Sequence, residues 1–432
     1  MNKNRAKNKI RPATQFFFPV GDLPEDSTDK SKSERGIALM VAVMIISIMM
    51  MFAAEFIVSS TVNLTRASAQ RDNIRAEYIA KSAANWAIWL NLFDYGLTLQ
   101  LKADTTGGGA AMLEGIGTLW NKLDDAFPYD TPLDVSDIAA FSQAMGLSQV
   151  MDSKVLELIQ SLGGAMGVKV EDESSRINLN VCATAQTTQC NSVMLQLEAL
   201  LTCTEIEKDF MKNNDHKPSE IARRIRDWVD ENPSADGSGY SEENDPYQKR
   251  SPPLKAKNSA LDSVDDLLLV DGWDRELHAY FSPYLTVWPY INDGEAAKSK
   301  ESVKLNINAM QPEALKCLFA RELGDGDAAE KFAKKYNEMI SKNGKVAGSE
   351  KEIKERLLEL FNFNSEGSDK ERGSWMTTNS STFRVKGKGI VGEQTRTLEY
   401  VIKRLNKAQF AAKSADPANP NAPWSLLFFR MN

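Results

Sequence analysis

Residues 37–54 read IALMVAVMIISIMMMFAA, an apolar run without a charge or a proline, set directly behind Ser33-Glu34-Arg35-Gly36. Phe56, Ile57 and Val58 carry it past Glu55, which makes it long enough to cross a bilayer core of ~30 Å as one helix. Lys3, Arg5, Lys7, Lys9, Arg11 and Arg35 stand in front of it, so the positive-inside rule holds the leading end in the cytoplasm and carries the rest of the chain across. The run exceeds the apolar part of a removable secretory signal, and no small-x-small cleavage pattern follows it. It is therefore expected to stay in the mature chain.

Working outward, residues 1–36 are polar, carry Pro12, Pro19 and Pro24, and show no helical period, as in an unstructured leader. On the other side, Ala76, Ala80, Ala83, Ala84, Ala87 and Leu90 recur at helical spacing and line small residues along one face. No proline lies between Pro24 and Pro128, so one helix from about residue 38 to about residue 92 is predicted, ~80 Å long at 1.5 Å per residue.

The full chain has 432 residues, and its globular part is long enough to split into domains. A net charge of −7 argues against nucleic acid as the main partner. Cys182, Cys190, Cys203 and Cys317 lie beyond the membrane in this topology, where disulfides persist. Cys182 with Cys190 would close the loop ATAQTTQ; Cys190 with Cys203 is the alternative, and free buried thiols are a third possibility.

Val168 and Val170 alternate with charged residues, and Ile177, Leu179 and Val181 alternate with asparagines. Both read as strands, joined around Glu173-Ser174-Ser175. Residues 191–232 and 259–281 are helical by period, with Ser263-Val264-Asp265-Asp266 as a capping box and Gly272 as a stop. A further helical unit begins at Leu305-Asn306-Ile307-Asn308, takes Pro312 into its first turn and runs to about Phe363. Two strands follow, around Phe383 and Val385 and around Leu398, Tyr400 and Ile402, with a turn at Gly392. Strands divided by a long helical block must still pair to bury a face, which predicts an α+β fold with a helical insertion into a small antiparallel sheet.

Chemistry-bearing patterns are few. Gly107-Gly108-Gly109 lacks the Gly-Lys-Ser/Thr ending of a phosphate-binding loop. His216 and His278 have no metal spacing and no neighbouring nucleophile, so an enzyme is not expected. Asp227, Asp230, Glu231, Asp236, Glu242, Glu243 and Asp245 crowd into 19 positions, a density of hard oxygen ligands that suits calcium. An EF-hand counted from Asp230 fails, because Ala235 and Ser241 stand where glycine and glutamate are required. A merely solvated acidic loop is the alternative.

Arg35-Gly36 before a long apolar helix resembles the prepilin peptidase site of type IV pilins and type II secretion pseudopilins. That resemblance implies cleavage after Gly36, leaving Ile37 as a new, methylated N-terminus; an ordinary signal anchor is the competing reading. Four further segments resemble the minor pseudopilin K family of type II secretion. Glu173-Ser174-Ser175-Arg176-Ile177-Asn178-Leu179-Asn180 is similar to its Asp-Glu-Ser-x-x-Ile-Asn-Leu-Asn strand, and Arg226-Asp227-Trp228-Val229-Asp230 to its Asp-Trp-Ile-Asp helix end. Ser263 to Gly272, with Pro283-Tyr284-Leu285-Thr286-Val287, is similar to its leucine-rich helix, glycine and Pro-Tyr-Leu-Thr-Val strand. Leu305 to Leu318 resembles the opening of its second helical lobe.

The resemblance implies a pilin head interrupted by a two-lobed all-α insertion. Its parts are a cleaved cytoplasmic leader 1–36, a membrane and stalk helix 37–94, head strands in 95–181, insertion lobes 182–300 and 301–376, closing strands 377–405 and a tail 406–432. It implies a single-pass inner-membrane protein with its C-terminal domain in the periplasm, starting and capping the tip of the pseudopilus. Implied partners are the other minor pseudopilins, the inner-membrane secretion platform, prepilin peptidase, and the secretin or secreted cargo. Position five of the mature chain is Val41, where most pilins carry a glutamate to neutralise a neighbour's terminal amine; a subunit with nothing above it needs none. The family's calcium site implies Asp230, Glu243 and Asp245 as first ligand candidates, then Asp227, Glu242 and Asp236, with Ser241-Glu242 departing from the family's Gly-Ala. A type IV pilus tip pilin and a membrane-anchored calcium-dependent hydrolase are the alternatives. Asn306-Ile307-Asn308 also resembles the entry to DNA-binding helical hairpins, but Leu318-Phe319-Ala320 replaces their glycine turn.

Overall fold

The fold is a computed structural model that describes residues 31–103, 127–134, 163–183, 188–203, 217–235, 242–289, 303–324, 326–343, 349–353, 374–405 and 424–432, with positions 137, 154, 157, 161 and 355. The predicted leader up to residue 30, Gly107 to Gly109, His216, Asp236 and Ser241 lie outside the described residues. The chain divides into two compact units, Met1–Ser68 and Ala69–Asn432.

Helix α1 spans Ser31–Ala103, longer at both ends than the predicted 38–92. Within the first unit, every position from 36 to 67 is exposed, and α1 is the one described helix long and apolar enough to cross a membrane. Hydroxyls at three positions bond back within the helix: Ser47 donates to the Val43 carbonyl at 2.8 Å, Thr65 to that of Thr61 at 2.9 Å, and Thr61 to that of Ile57. Such back-bonding lets polar side chains sit in an apolar segment without exposing a donor.

In the second unit, α1 lies on a five-stranded antiparallel sheet ordered β1-β2-β7-β8-β9. The strands are β1 (Leu133–Asp134), β2 (Ala165–Asp172), β7 (Thr382–Val391), β8 (Gln394–Arg404) and β9 (Trp424–Met431). Ala76, Ala80, Ala83, Ala84 and Ala87 are all buried, the last four packed with Val168, Phe383, Val385, Leu398 and Ile402. The alanine stripe is matched by glycines on β7. A side chain at Gly387 or Gly389 would overlap the carbonyl oxygens of Ala80 and Ala76, so helix and strand meet backbone to backbone. Gly392, at φ +57°, makes the tight turn between β7 and β8.

Between β2 and β7 the chain makes a helical block. After β3 (Ile177–Asn178) come α2 (Thr188–Cys203), α3 (Pro218–Val229), α4 (Asp245–Gln248), α5 (Arg275–Phe281) and β4 (Leu285–Thr286). Then follow β5 (Leu305–Asn306), α6 (Pro312–Leu323), α7 (Gly326–Asn343) and β6 (Met376–Thr377). One apolar cluster runs through this whole block, with Leu197, Leu200, Ile221, Ile225, Trp228, Phe281, Phe319 and Tyr336 at its centre. The Tyr336 hydroxyl donates to the carbonyls of Ile307, at 2.5 Å, and Met310, at 2.9 Å, which satisfies a phenol inside that core.

Several expectations are corrected. The alternation at 177–181 is not a hairpin partner of β2; residues 173–175 and 179–182 are single 3₁₀ turns. Between them β3 pairs in parallel with β4. Asp172 accepts from the Ser174 amide at 2.8 Å and Asn178 from the Asn180 amide at 3.0 Å, so the polar residues bend the backbone locally. The Asn180 amide group then donates to the carbonyls of Leu261 and Val287 at 3.0 and 2.9 Å, tying this loop to the helical block. Within the span 191–232, the described residues are helical in α2 and α3, as the period predicts. The helix predicted over 259–281 is a 3₁₀ helix at 264–269 followed by α5, which starts with the Leu277 amide donating to Asp274 at 2.8 Å. Leu305–Asn306 is a short strand parallel to β6 rather than the start of a helix, and the helix proper opens at Pro312. In the tail 406–432, whose apolar end the sequence leaves without a docking site, residues 424–431 are β9, with Tyr400 opposite Phe429 and a bulge between Val401 and Ile402.

Cys182 is bonded to Cys190, with Cα atoms 4.7 Å apart. Cys203 pairs not with Cys190 but with Cys317, Cα atoms 5.2 Å apart across a sequence separation of 114, fastening the end of α2 to α6.

Candidate functional site

Helix α3 buries Ile221, Ile225, Trp228 and Val229 on one side, and this orientation sends Asp227 and Asp230 inward at its C-terminal end. Asp227, Asp230 and Glu243 are buried to 4%, 1% and 2% exposure, an unusual position for carboxylates. Asp230 receives the Asn232 side-chain amide at 2.8 Å, with the Arg226 guanidinium at 3.6 Å. Glu243 receives the Asn258 side-chain amide at 2.8 Å, and the same amide reaches the Asn232 carbonyl at 3.3 Å. Asn258 takes φ +45°, a left-handed conformation that asparagine tolerates, while its own N–H donates to the Trp228 carbonyl at 3.0 Å. Asn232 and Asn258 thus bridge Asp230 to Glu243.

The outer side of the loop is held differently. Asp245 accepts from the Glu242 amide at 3.0 Å and Asn244 from the Ala256 amide at 2.8 Å. Tyr247 packs edge-on against Trp228 with ring centres 4.8 Å apart, and its hydroxyl accepts from the Asp271 amide at 3.3 Å. Burial pushes the Tyr247 phenol up to about 12, so it stays neutral.

Of the sequence candidates, the structure draws Asp230 and Glu243 together and buries Asp227 on the same helix end. It leaves Asp245 half-buried and Glu242 exposed. Among the described residues, no set of three or more His, Cys, Asp or Glu side chains closes to metal-holding distance. The donors fit calcium in kind, being hard oxygens from carboxylates and the Asn232 carbonyl. Asn258 was missed by the sequence reading; its only signal is an asparagine between Lys257 and Ser259, in a stretch with no helical or strand period.

A second feature is the face of the sheet turned away from α1, which carries charge instead of alanine-matched apolar residues. Glu171 pairs with Arg176 at 2.6 Å and Lys386 at 3.0 Å; Glu173 pairs with Arg176 at 3.0 Å and Arg384 at 2.5 Å. Arg384 continues to Glu399, which also holds Arg430 at 2.8 Å. Burial pulls the Glu171 carboxyl up, but Arg176 and Lys386 outweigh it and hold the group down at about 2. Glu171, Arg176, Arg384, Lys386, Glu399 and Arg430 line a cleft of about 830 Å³, which Tyr284, Trp288 and Tyr336 of the helical block also line.

Comparison with known proteins bears on these elements directly. Residues 175–290, which contain α2, α3, the acidic loop and β4, match the family model for type II secretion system protein K. Over that segment the chain is similar to the type II secretion protein K family. The protein K of Aeromonas hydrophila is 29% identical over 133 residues, 30% of this chain and 35% of that one. The protein K of Pseudomonas aeruginosa is 22% identical over 197 residues, 43% of this chain and 53% of that one. That of Klebsiella pneumoniae is 29% identical over 109 residues, 24% and 29%. The matches thus span between about a third and about half the length of these protein K relatives. The crystal structure of the GspK-GspI-GspJ complex from enterotoxigenic Escherichia coli aligns at TM-score 0.43 and 19% identity, covering 62% of this chain and 80% of that one.

Proposed function

We propose that the protein is a minor pseudopilin of type II secretion, a structural and non-enzymatic subunit that starts and caps the tip of the periplasmic pseudopilus. The observation that carries this reading is one chain joining a protein K segment, 175–290, to an exposed apolar helix end. In this reading the α1 stretch from 37 to 58 sits in the inner membrane, with the leader cytoplasmic and the Ala69–Asn432 unit periplasmic. Prepilin peptidase cuts after Gly36 and Ile37 becomes the terminus. The sheet with α1 serves as a pilin head, and the helical block is the insertion that broadens it into a cap. Its partners are minor pseudopilins of the I and J kinds and the inner-membrane platform, with secretin or cargo met by the broad face.

Val41 supports the tip position. A carboxylate in an apolar fibre core is tolerated only when paired with an amine, and a terminal subunit has no neighbour above to supply one. We further propose calcium as a structural ligand of the acidic loop, held by Asp230 and Glu243 with Asp227 and the Asn232 carbonyl, Asp245 and Glu242 contributing from the outer side. Bound there, the ion would supply positive charge to buried carboxylates and fix the loop after α3.

N-terminal sequencing of the membrane-purified protein is the test of the first proposal. A start at Ile37 is expected; an intact leader, or any other start, would count decisively against it. For the metal, calcium should raise the melting temperature of the full chain in detergent, and Asp230→Asn with Glu243→Gln should abolish the rise. No rise in the wild-type chain would remove the calcium proposal alone.

A further inference from the structure

Strand β9 is the last in the order β1-β2-β7-β8-β9, and among the described residues no further strand meets its outer flank. The ladder fixes which backbone groups point out. Asn432 and Thr397 exchange both hydrogen bonds, N–H to carbonyl at 2.9 and 3.0 Å. In an antiparallel pair bonded and unbonded positions alternate, so Arg430 also faces β8 while Phe429 and Met431, opposite Tyr400 and Leu398, turn N–H and C=O outward. The same two residues carry open apolar side chains, Phe429 48% and Met431 43% exposed, with Leu426 at 47% beside them. A protein that keeps such an edge to itself blunts it with lysine, proline or inward charge. Residues 424–431 contain neither Lys nor Pro, and their single charge is Arg430. That side chain is 54% exposed while bonded to Glu399.

We propose that the outer edge of β9 is a strand-addition site for a partner polypeptide. The occupant is an extended segment with aliphatic residues at alternate positions and a carboxylate placed to share Arg430. Its backbone would bond the N–H and C=O of Phe429 and Met431, its aliphatic side chains would cover Phe429, Met431 and Leu426, and its acid would lie on the opposite face. A second copy of β9 is disfavoured. Antiparallel pairing of two such strands turns about an axis normal to the sheet and points the two α1 helices in opposite directions, which, on the membrane reading above, a shared bilayer forbids.

The test uses the full chain in detergent and a fluorescein-labelled synthetic octapeptide, Thr-Val-Asp-Val-Thr-Val-Thr-Val, followed by anisotropy. Saturable binding is expected, weakened about tenfold or more by Phe429→Pro, by lysine in place of the peptide's aspartate, and by N-methylation of alternate peptide residues. Proline at 429 removes an outward N–H and no bond to β8, so an unchanged melting temperature should accompany the loss. Met431→Pro repeats the test if the first variant does not fold. No saturable binding, or binding indifferent to both proline variants, overturns the proposal, as does light scattering that shows dimers sensitive to Phe429→Pro. The peptide assay involves no secretion component, so its failure leaves the pseudopilin reading untouched.

Discussion

Where α1 meets the sheet, Ala76, Ala80 and Ala84 face Gly387 and Gly389 and helix and strand backbones touch; inside the helical block, Phe281, Phe319, Tyr336 and Trp228 fill the centre with large side chains. The first contact is set by the absence of side chains, the second by their volume. The alanine seam should therefore be intolerant of addition and the helical block intolerant of removal.

Removal in the block gives the largest expected effect. Phe319 is fully buried, with ring centres 4.2 Å from Phe332 and 5.5 Å from Trp375. Phe319→Ala should cost about 3–5 kcal/mol in chemical denaturation, and Ala83→Gly at the seam should cost far less. Next comes the charged face between the two interiors. Glu171 is held at about 2 in the fold against an ordinary carboxylate value, so its contribution is fully present above about pH 4.5 and is lost as pH falls toward 2. That loss is on the order of 3 kcal/mol, and Glu171→Gln should flatten the stability profile in that window. Addition at the seam follows: Gly389→Ala should destabilise by about 1–3 kcal/mol, whereas an equal cost for Ala320→Val in the block would erase the contrast. The smallest effect expected is Asp274→Ala, which removes the amide acceptor that starts α5 and should lower stability by about 1 kcal/mol in thermal unfolding.

The same contrast explains what the sequence revealed. Alanines at helical spacing and the alternation in β7 and β8 are local periodic signals, and the seam they form was legible. The asparagines at 178 and 180 mimic a strand's period of two, but Asn178 caps a 3₁₀ turn by accepting the Asn180 amide, and Asn180 reaches the carbonyls of residues 261 and 287. Strand β9 follows a proline-rich stretch and owes its place to a partner strand, β8, that no local pattern names. The bond between Cys203 and Cys317 crosses 114 positions and had no spacing to betray it. At the acidic loop, carboxylate density was plain, but which acids turn inward depends on the facing of α3 and on the left-handed turn at Asn258.

The seam joins pieces made at opposite ends of synthesis. Residues 76–87 leave the ribosome early, whereas Gly387 and Gly389, which cover them, come after the whole helical block. For that interval the alanine face lacks β7 and β8, and a chain stopped short of residue 382 can never complete its cover. Completeness is thus written into the head as a check on the last-made strands, and a truncated copy would display its own defect to proteases.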